Sequence, residues 1–231
     1  MTRLTVIGAG KMGGLVAALA PEMGFELVAT LGPERTRGGI TREALAGADV
    51  VVEFTVPGAA AGVVRDCATL GVPVVSGTTG WDAERARVES DVRGSDGALL
   101  WAPNFAIGVH LFARVVAEAA RQFEGVRAGF DVHLTETHHA RKLDAPSGTA
   151  RLLATVAQRA GGRPVPITSV RTGHVPGTHE IIFDAPFEQV RLVHEARDRR
   201  VFATGALTAA HWLVGKRGVF TLDDLLGEIA R

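Results

Sequence analysis

Cysteine is almost missing from this chain of 231 residues, with Cys67 standing alone. A single cysteine excludes a disulfide framework and a cysteine-rich metal site, and it fits a reducing compartment. A surplus of charge is missing too, because 25 Lys+Arg balance 25 Asp+Glu. Polyanion and membrane-surface binding usually leave a basic excess, so neither a nucleic-acid nor a membrane role is expected, and any anionic ligand has to be met by local charge. No apolar run approaches the roughly 20 residues that a spanning helix needs. The N-terminus passes from Thr2 straight into Leu4-Thr5-Val6-Ile7, without the basic-then-apolar layout or cleavage site of a signal peptide. Repeats and low-complexity tracts are absent as well. The reading is a soluble, cytoplasmic protein.

What is present is an aliphatic, folded composition, 46% hydrophobic and 22% charged, with length enough for one large domain or two small ones. The first half alternates β-branched runs with helix-like text, the pattern of parallel βαβ units. Strands are expected over 4–7, 26–30, 49–54, 73–76 and 98–101, and helices over 12–20, 59–70 and 82–92. Val50-Val51-Val52 is apolar on consecutive positions, as in a sheet with helices on both faces. After Pro103-Asn104 the text changes to a long amphipathic stretch over 109–123. Alternating runs follow over 129–137, 165–170, 179–183 and 189–194, which predict a sheet with one wet or differently packed face. Helical text returns from Thr204 to Leu213 and from Leu222 to Ile229.

The opening strand leads into Gly8-Ala9-Gly10-Lys11-Met12-Gly13, a complete GxGxxG at a strand-to-helix junction. The first glycine permits the tight turn, the second lets backbone approach a pyrophosphate, and the third allows close helix packing. Glycine-rich turns also arise for structural reasons, but the place directly after a first strand favours a dinucleotide. The acidic residue expected about 20 positions on, which would hold the ribose hydroxyls, is not found, since the second strand ends in Thr30-Leu31-Gly32-Pro33. Arg35 or Arg37 would suit a 2′-phosphate, Glu34 would suit free hydroxyls, and all three would equally suit a solvated loop, so NADH and NADPH both stay open. Two more turns at strand ends, Phe54-Thr55-Val56-Pro57 and Gly77-Thr78-Thr79-Gly80, lie where open α/β sheets bind ligands.

The densest chemistry is the run Thr135-Glu136-Thr137-His138-His139-Ala140-Arg141-Lys142, followed by Asp144-Ala145-Pro146-Ser147-Gly148-Thr149-Ala150. Histidines supply proton transfer near neutral pH, and the lysine supplies a fixed positive charge. Pro-Ser-Gly-Thr opens a helix to Ala160 whose free amides suit an anion. Together they fit a small carboxylate substrate. A Ser/Thr cap alone would be ordinary helix chemistry. No metal site is expected, because His138 and His139 are adjacent and no ligand spacing completes a set. His133, His174, His179, His194 and His211 are expected in packing or hydrogen-bonding roles.

These residues resemble the dihydrodipicolinate reductase family. The resemblance spans nearly the whole chain, from Gly8–Gly13 through Glu53-Phe54-Thr55, Gly77–Gly80, Ala102-Pro103-Asn104-Phe105, the long run over 136–150 and Arg171-Thr172-Gly173-His174 to Phe202–Ala206. It implies an α/β protein: a Rossmann-like nucleotide-binding domain (1–104 and 206–231) and an α+β substrate-binding and oligomerisation domain (105–205) with an open mixed sheet. It further implies hydride transfer from NADPH or NADH to a cyclic imine dicarboxylate, with His138 as proton donor and acceptor and Lys142 as a second donor. His139, Ser147, Gly148 and Thr149 would bind substrate carboxylates. Gly8 to Gly13, Gly77, Thr78, Thr79 and Ala102 to Phe105 would bind the cofactor, Arg35 joins them from the reading of the residues alone, and the sheet would build a homotetramer. The sequence departs from the family pattern in its shorter first turn, in Gly32 where an acid is usual, in Ala106 where a serine is common, and in its compact length. Two other readings compete: a different two-domain dehydrogenase, and a sensor that holds NAD(P)H without turnover.

Overall fold

The computed structural model describes residues 1–126 and 129–229. The chain divides into two compact units, Met1–Ile107 with Arg200–Arg231, and Gly108–Arg199. The sequence expectation set these joints at 104/105 and 205/206, a few residues away at each.

The first unit is a six-stranded sheet in the order β10-β5-β4-β3-β1-β2, with every adjacent pair parallel. Its strands are β1 (Thr2–Ile7), β2 (Phe25–Leu31), β3 (Val50–Glu53), β4 (Val74–Ser76), β5 (Ala98–Trp101) and β10 (Gly218–Phe220). Because side chains alternate along a strand, consecutive apolar residues feed two cores. Leu4, Val6, Val50, Val52, Val75 and Leu100 pack with α1 (Lys11–Leu19), α7 (Arg200–Leu213) and α8 (Leu222–Ile229). Ile7, Val51, Val74 and Leu99 pack on the other face with α3 (Pro57–Thr69) and α4 (Asp82–Gly94). A four-residue helix, α2 (Pro33–Thr36), follows β2. Cys67 lies buried on α3, and burial pushes its thiol pKa up, so it acts as a packing residue.

The second unit packs α5 (Ile107–Glu124) and α6 (Gly148–Gly161) on a four-stranded mixed sheet of order β7-β6-β8-β9. Its strands are β6 (Asp131–His138), β7 (Ile167–Arg171), β8 (Thr178–Ala185) and β9 (Glu188–Glu195). The β6/β7 pair is parallel and the other pairs antiparallel. Helix α5 buries Val109, Ala113, Val116 and Ala120, and α6 buries Leu153 and Ala157, spacings that put each set on one helical face. Phe130, Leu134, Ile181 and Phe183 close this core. None of the described helices is long and apolar enough to cross a membrane.

Candidate active site

In the first unit the fingerprint glycines meet the three demands placed on them. Gly8 has φ +108, and a Cβ there would lie 2.0 Å from the Phe54 carbonyl oxygen. A Cβ on Gly13 would lie 1.7 Å from the Gly8 carbonyl oxygen, whereas one on Gly10 would meet nothing within 4 Å. The tight turn and the close helix packing are therefore occupied by protein, and the middle glycine leaves open the approach that a pyrophosphate needs. Gly10 also caps α1 without a side-chain hydrogen bond, so the first amides of that helix point to the same opening. Ala9 and Lys11 are exposed there, and Met12 is half-buried.

The two loops after β3 and β4 are joined by a carboxylate. Glu53 is fully buried, and its Oε1 accepts from Thr78 Oγ1 at 2.5 Å, Thr55 Oγ1 at 2.5 Å and Thr55 N at 2.6 Å. Its Oε2 accepts from Ser76 Oγ at 2.5 Å. The Thr78 carbonyl accepts from the indoles of Trp81 at 2.7 Å and Trp101 at 3.0 Å. Thr78 is thus turned inward, while Thr79 is exposed. A Cβ on Gly77 would strike the Phe54 ring at 2.0 Å. Phe105 is buried with its ring edge-on to Phe54, and Asn104 Oδ1 accepts from Ala106 N at 2.8 Å. Ala102 is buried and Pro103 exposed in the same segment. At the end of β2, Gly32 stands near Ala9, Arg35 is exposed on α2, and Arg37 pairs with Glu34 at 3.8 Å.

In the second unit the alternation that builds the core also builds a polar site. On the inner face, one row across the sheet is apolar, Ile167-Leu134-Ile181-Leu192, and the next row is Ser169-Glu136-His179-His194. Beyond it His138 pairs with Arg171, and at Gly177 a Cβ would lie 2.9 Å from His138 Nε2. Glu136 is fully buried, its Oε2 on His138 Nδ1 and its Oε1 accepting from Arg171 Nη2 at 2.7 Å and Ser147 N at 3.3 Å. Burial alone would raise this carboxyl, but hydrogen bonds from Arg171 and Ser169 and the neighbouring His138 outweigh it and hold it at about 2. His138 is lowered from its ordinary value by burial, against the pull of Glu136.

Ser147 caps α6, its hydroxyl accepting from Ala150 N at 3.1 Å and lying 3.1 Å from His179 Nε2. The buried His179 Nδ1 has no hydrogen-bond partner among the described residues, so the ring is held through Nε2 alone, which shares one hydrogen bond with the Ser147 hydroxyl. Burial, with His138 nearby, pushes this imidazole down to about 4. The Ser147 side chain is thereby engaged within the fold, and a Cβ on Gly148 would meet nothing within 4 Å, leaving open space beside the first turn of α6. Lys142 Nζ donates to Asp144 Oδ1 at 2.7 Å. The loop bearing His139 and Lys142 is fastened by His139 N to Val175 O at 2.8 Å.

The structure thus gathers His138, His139, Lys142, Ser147, Gly148 and Thr149 at one end of this unit. Glu136, Arg171 and His179 join them, although the sequence reading gave the first two no role. The signal for Glu136 was its even spacing from Leu134 and His138. Arg171 and His179 become neighbours only through strand register. Of the other histidines expected to pack or hydrogen-bond, His133 lies 2.9 Å from Thr168 Oγ1 and His211 lies 2.7 Å from Met23 O and stacks on the Phe25 ring, whereas His194 stands next to His179 in the polar row and beside Phe112, and His174 is exposed. Glu136, His138 and His179 present ligand-type atoms within 4.8 Å of one another, but Arg171 already holds the carboxylate, and a guanidinium there opposes a metal cation.

A parallel sheet with an open glycine turn, together with a separate histidine- and lysine-bearing unit, defines a two-domain nucleotide-dependent oxidoreductase. Residues 2–105 match the dihydrodipicolinate reductase N-terminal family and residues 108–226 its C-terminal family. The chain belongs to the dihydrodipicolinate reductase family. It is 30% identical over 238 residues, 98% of both chains, to the 4-hydroxy-tetrahydrodipicolinate reductase of Christiangramia forsetii. It is 41% identical over 180 residues to that of Xanthomonas euvesicatoria pv. vesicatoria, covering 77% of this chain and 73% of the relative. Among solved structures, the dipicolinate-bound dihydrodipicolinate reductase of Paenisporosarcina sp. TG-14 superposes with a TM-score of 0.78 at 25% identity, over 96% of this chain and 97% of that one. The aspartate dehydrogenase of Thermotoga maritima, at 13% identity and a TM-score of 0.53 over 94% and 98% of the two chains, shares the fold.

Proposed function

We propose that this chain is an NAD(P)H-dependent reductase that converts 4-hydroxy-tetrahydrodipicolinate, by way of dihydrodipicolinate, to tetrahydrodipicolinate in lysine and diaminopimelate biosynthesis. The observation that carries this reading is the convergence of His138, Lys142 and the α6 N-terminus at one end of the second unit's sheet. A dehydrogenase that shared only the nucleotide half would have no use for that set, and a sensor needs neither a proton donor nor a carboxylate cradle. Dipicolinate, the ligand of the Paenisporosarcina relative, is a ring dicarboxylate of the shape this cradle suits.

Gly8 to Gly13, Gly77 to Thr79 and Ala102 to Phe105 would hold a reduced nicotinamide dinucleotide, which would supply the hydride. Hydride addition to a conjugated imine leaves an electron-rich neighbouring carbon that takes a proton, and His138 gives it. Lys142, held by Asp144, and the amides of Gly148 and Thr149 neutralise and orient the carboxylates, with His139 beside them and Ser147 shaping the turn. Arg35 reads the 2′-phosphate when the cofactor is NADPH. A cytoplasmic location and a homotetramer belong to the same reading. The latter is supported by the outer face of the four-stranded sheet, where Val170 and Val193 are exposed.

The test is the oxidation of NADPH and of NADH, followed by nicotinamide absorbance, with freshly generated dihydrodipicolinate. Turnover that depends on substrate is the expected result, and its absence with both cofactors overturns the reading. Sedimentation of the full chain as a monomer would overturn the tetramer.

A further inference from the structure

The reductase reading leaves one fully buried charge without a task, the Glu136 carboxylate. A buried carboxylate that serves packing alone needs only a counter-ion, and Arg171 at 2.7 Å provides one. Yet its other oxygen is aimed at Nδ1 of His138, and Ser147 N, at the start of the anion cradle, donates to the oxygen that Arg171 holds. Arg171 Nη2 reaches on to Asp144 O at 2.6 Å, and Asp144 in turn grips Lys142. The one carboxylate is therefore bonded directly to His138 and to Ser147 N, and it reaches Lys142 through Arg171 and Asp144.

We propose that Glu136 is the positioning residue of the reduction: its carboxylate holds the Nδ1–H of His138, fixes the ring with Nε2 as the nitrogen that gives and regains the proton, and through Arg171 sets the loop that carries Lys142. This inference rests on the reductase reading. Gly177 completes the arrangement, because a side chain there would crowd Nε2, its Cβ falling 2.9 Å away.

The groups that face His138 are Glu136 on its own strand, Lys142 with Asp144 in the loop behind it, Arg171 on β7 and His179 on β8, with His194 of β9 behind His179. Lys142 and Arg171 oppose a charged imidazole, and Glu136 is the anion in contact with the ring. Replacing the carboxylate by an amide removes that support, so a smaller fraction of the enzyme carries the proton at neutral pH. The amide can also donate to Nδ1 and turn the tautomer over.

The experiment is the pH profile of kcat for wild type, Glu136→Gln and Glu136→Asp in the full chain, with NADPH and freshly generated dihydrodipicolinate. Glu136→Gln is expected to lose about tenfold or more of kcat at neutral pH, to keep its KM for NADPH within about twofold, and to move the limb that reports loss of the His138 proton to lower pH by about one unit. Glu136→Asp is expected to recover part of the loss. A profile that falls in height with its limb unmoved, or unaltered kinetics, overturns the proposal.

Should Glu136→Gln fail to fold, 15N-histidine NMR of the wild type decides. Neutral His138, assigned by the signal missing in His138→Gln, is expected to carry its proton on Nδ1, and a proton on Nε2 overturns the proposal. Wild type without turnover defeats the reductase reading instead, and the NMR result still reports on Glu136 independently.

Discussion

The Thr78 hydroxyl donates to Oε1 of Glu53 at 2.5 Å, which ties the loop after β4 to the end of β3 through a carboxylate sealed from solvent. The second unit repeats the device: Glu136, also fully buried, gathers His138, Arg171 and Ser147. Glu53 is the last residue of β3, and Glu136 lies two residues before the end of β6, so each buried glutamate ties a strand's C-terminal end to neighbouring loops. Rigid loops of this kind hold a bound ligand without paying ordering entropy at each turnover.

Glu53→Ala strands the buried hydroxyls of Ser76 and Thr78, and the half-buried one of Thr55, without their acceptor. Buried donors left unsatisfied cost about 1–3 kcal/mol each, so urea denaturation is expected to register a loss of about 3 kcal/mol or more, accompanied by a raised KM for the nicotinamide cofactor. Stability within about 0.5 kcal/mol of wild type would contradict this account.

For His138→Gln, kcat is expected to fall by about a hundredfold to ten-thousandfold, the range of a lost general acid. The measurement is cofactor oxidation with freshly generated substrate. Turnover equal to wild type would remove His138 from the chemistry.

Lys142→Ala is expected to weaken turnover and substrate binding together, because in the proposed reaction the ammonium both neutralises a carboxylate and offers a proton. Since Asp144 holds it at 2.7 Å, Asp144→Ala should produce a milder loss in the same direction. A Lys142→Ala enzyme with unaltered kcat and KM would mean that the lysine only pairs with Asp144 in the loop.

His179 titrates at about 4 in the fold against an ordinary 6.5, so the unfolded chain takes the proton first. Its contribution is complete above 6.5 and is lost as pH falls toward 4, roughly 3 kcal/mol in all. His138 and His194, both lowered by burial, act in the same direction. Thermal or urea unfolding across this window is expected to steepen with acidity, and His179→Gln to remove about one proton, about 1.4 kcal/mol per pH unit, from the slope. An unchanged slope would place the buried proton uptake elsewhere.

Arg35→Ala is expected to raise the KM for NADPH several-fold while leaving that for NADH nearly as it was, since a 2′-phosphate contact is charge-assisted. A constant ratio of the two would leave Arg35 as a solvated residue of α2.

The nucleotide half was legible because its code is local. Val50, Val51 and Val52 announce a strand covered on both faces, and Gly8, Gly10 and Gly13 fall within one strand-to-helix turn. The histidine-lysine run and the Ser147 cap were legible for the same reason. The strand Gly218–Phe220 was not, because three residues carry no period and become a strand only where Ala98, Leu99 and Leu100 offer an edge. Likewise, nothing around Arg171 or His179 in the sequence points to Glu136.

By itself, then, the sequence determined the parallel sheet, the glycine turn, the cap and the proton-bearing run, since propensity, periodicity and backbone sterics act over a few residues. Only the tertiary structure decided that Ser169, Glu136, His179 and His194 form one row and that Arg171 closes on His138. Register is a pairing between strands distant in the chain, fixed by burying Leu134 against Ile167 and Ile181, and a shift of one residue would turn every one of those polar side chains to the opposite face.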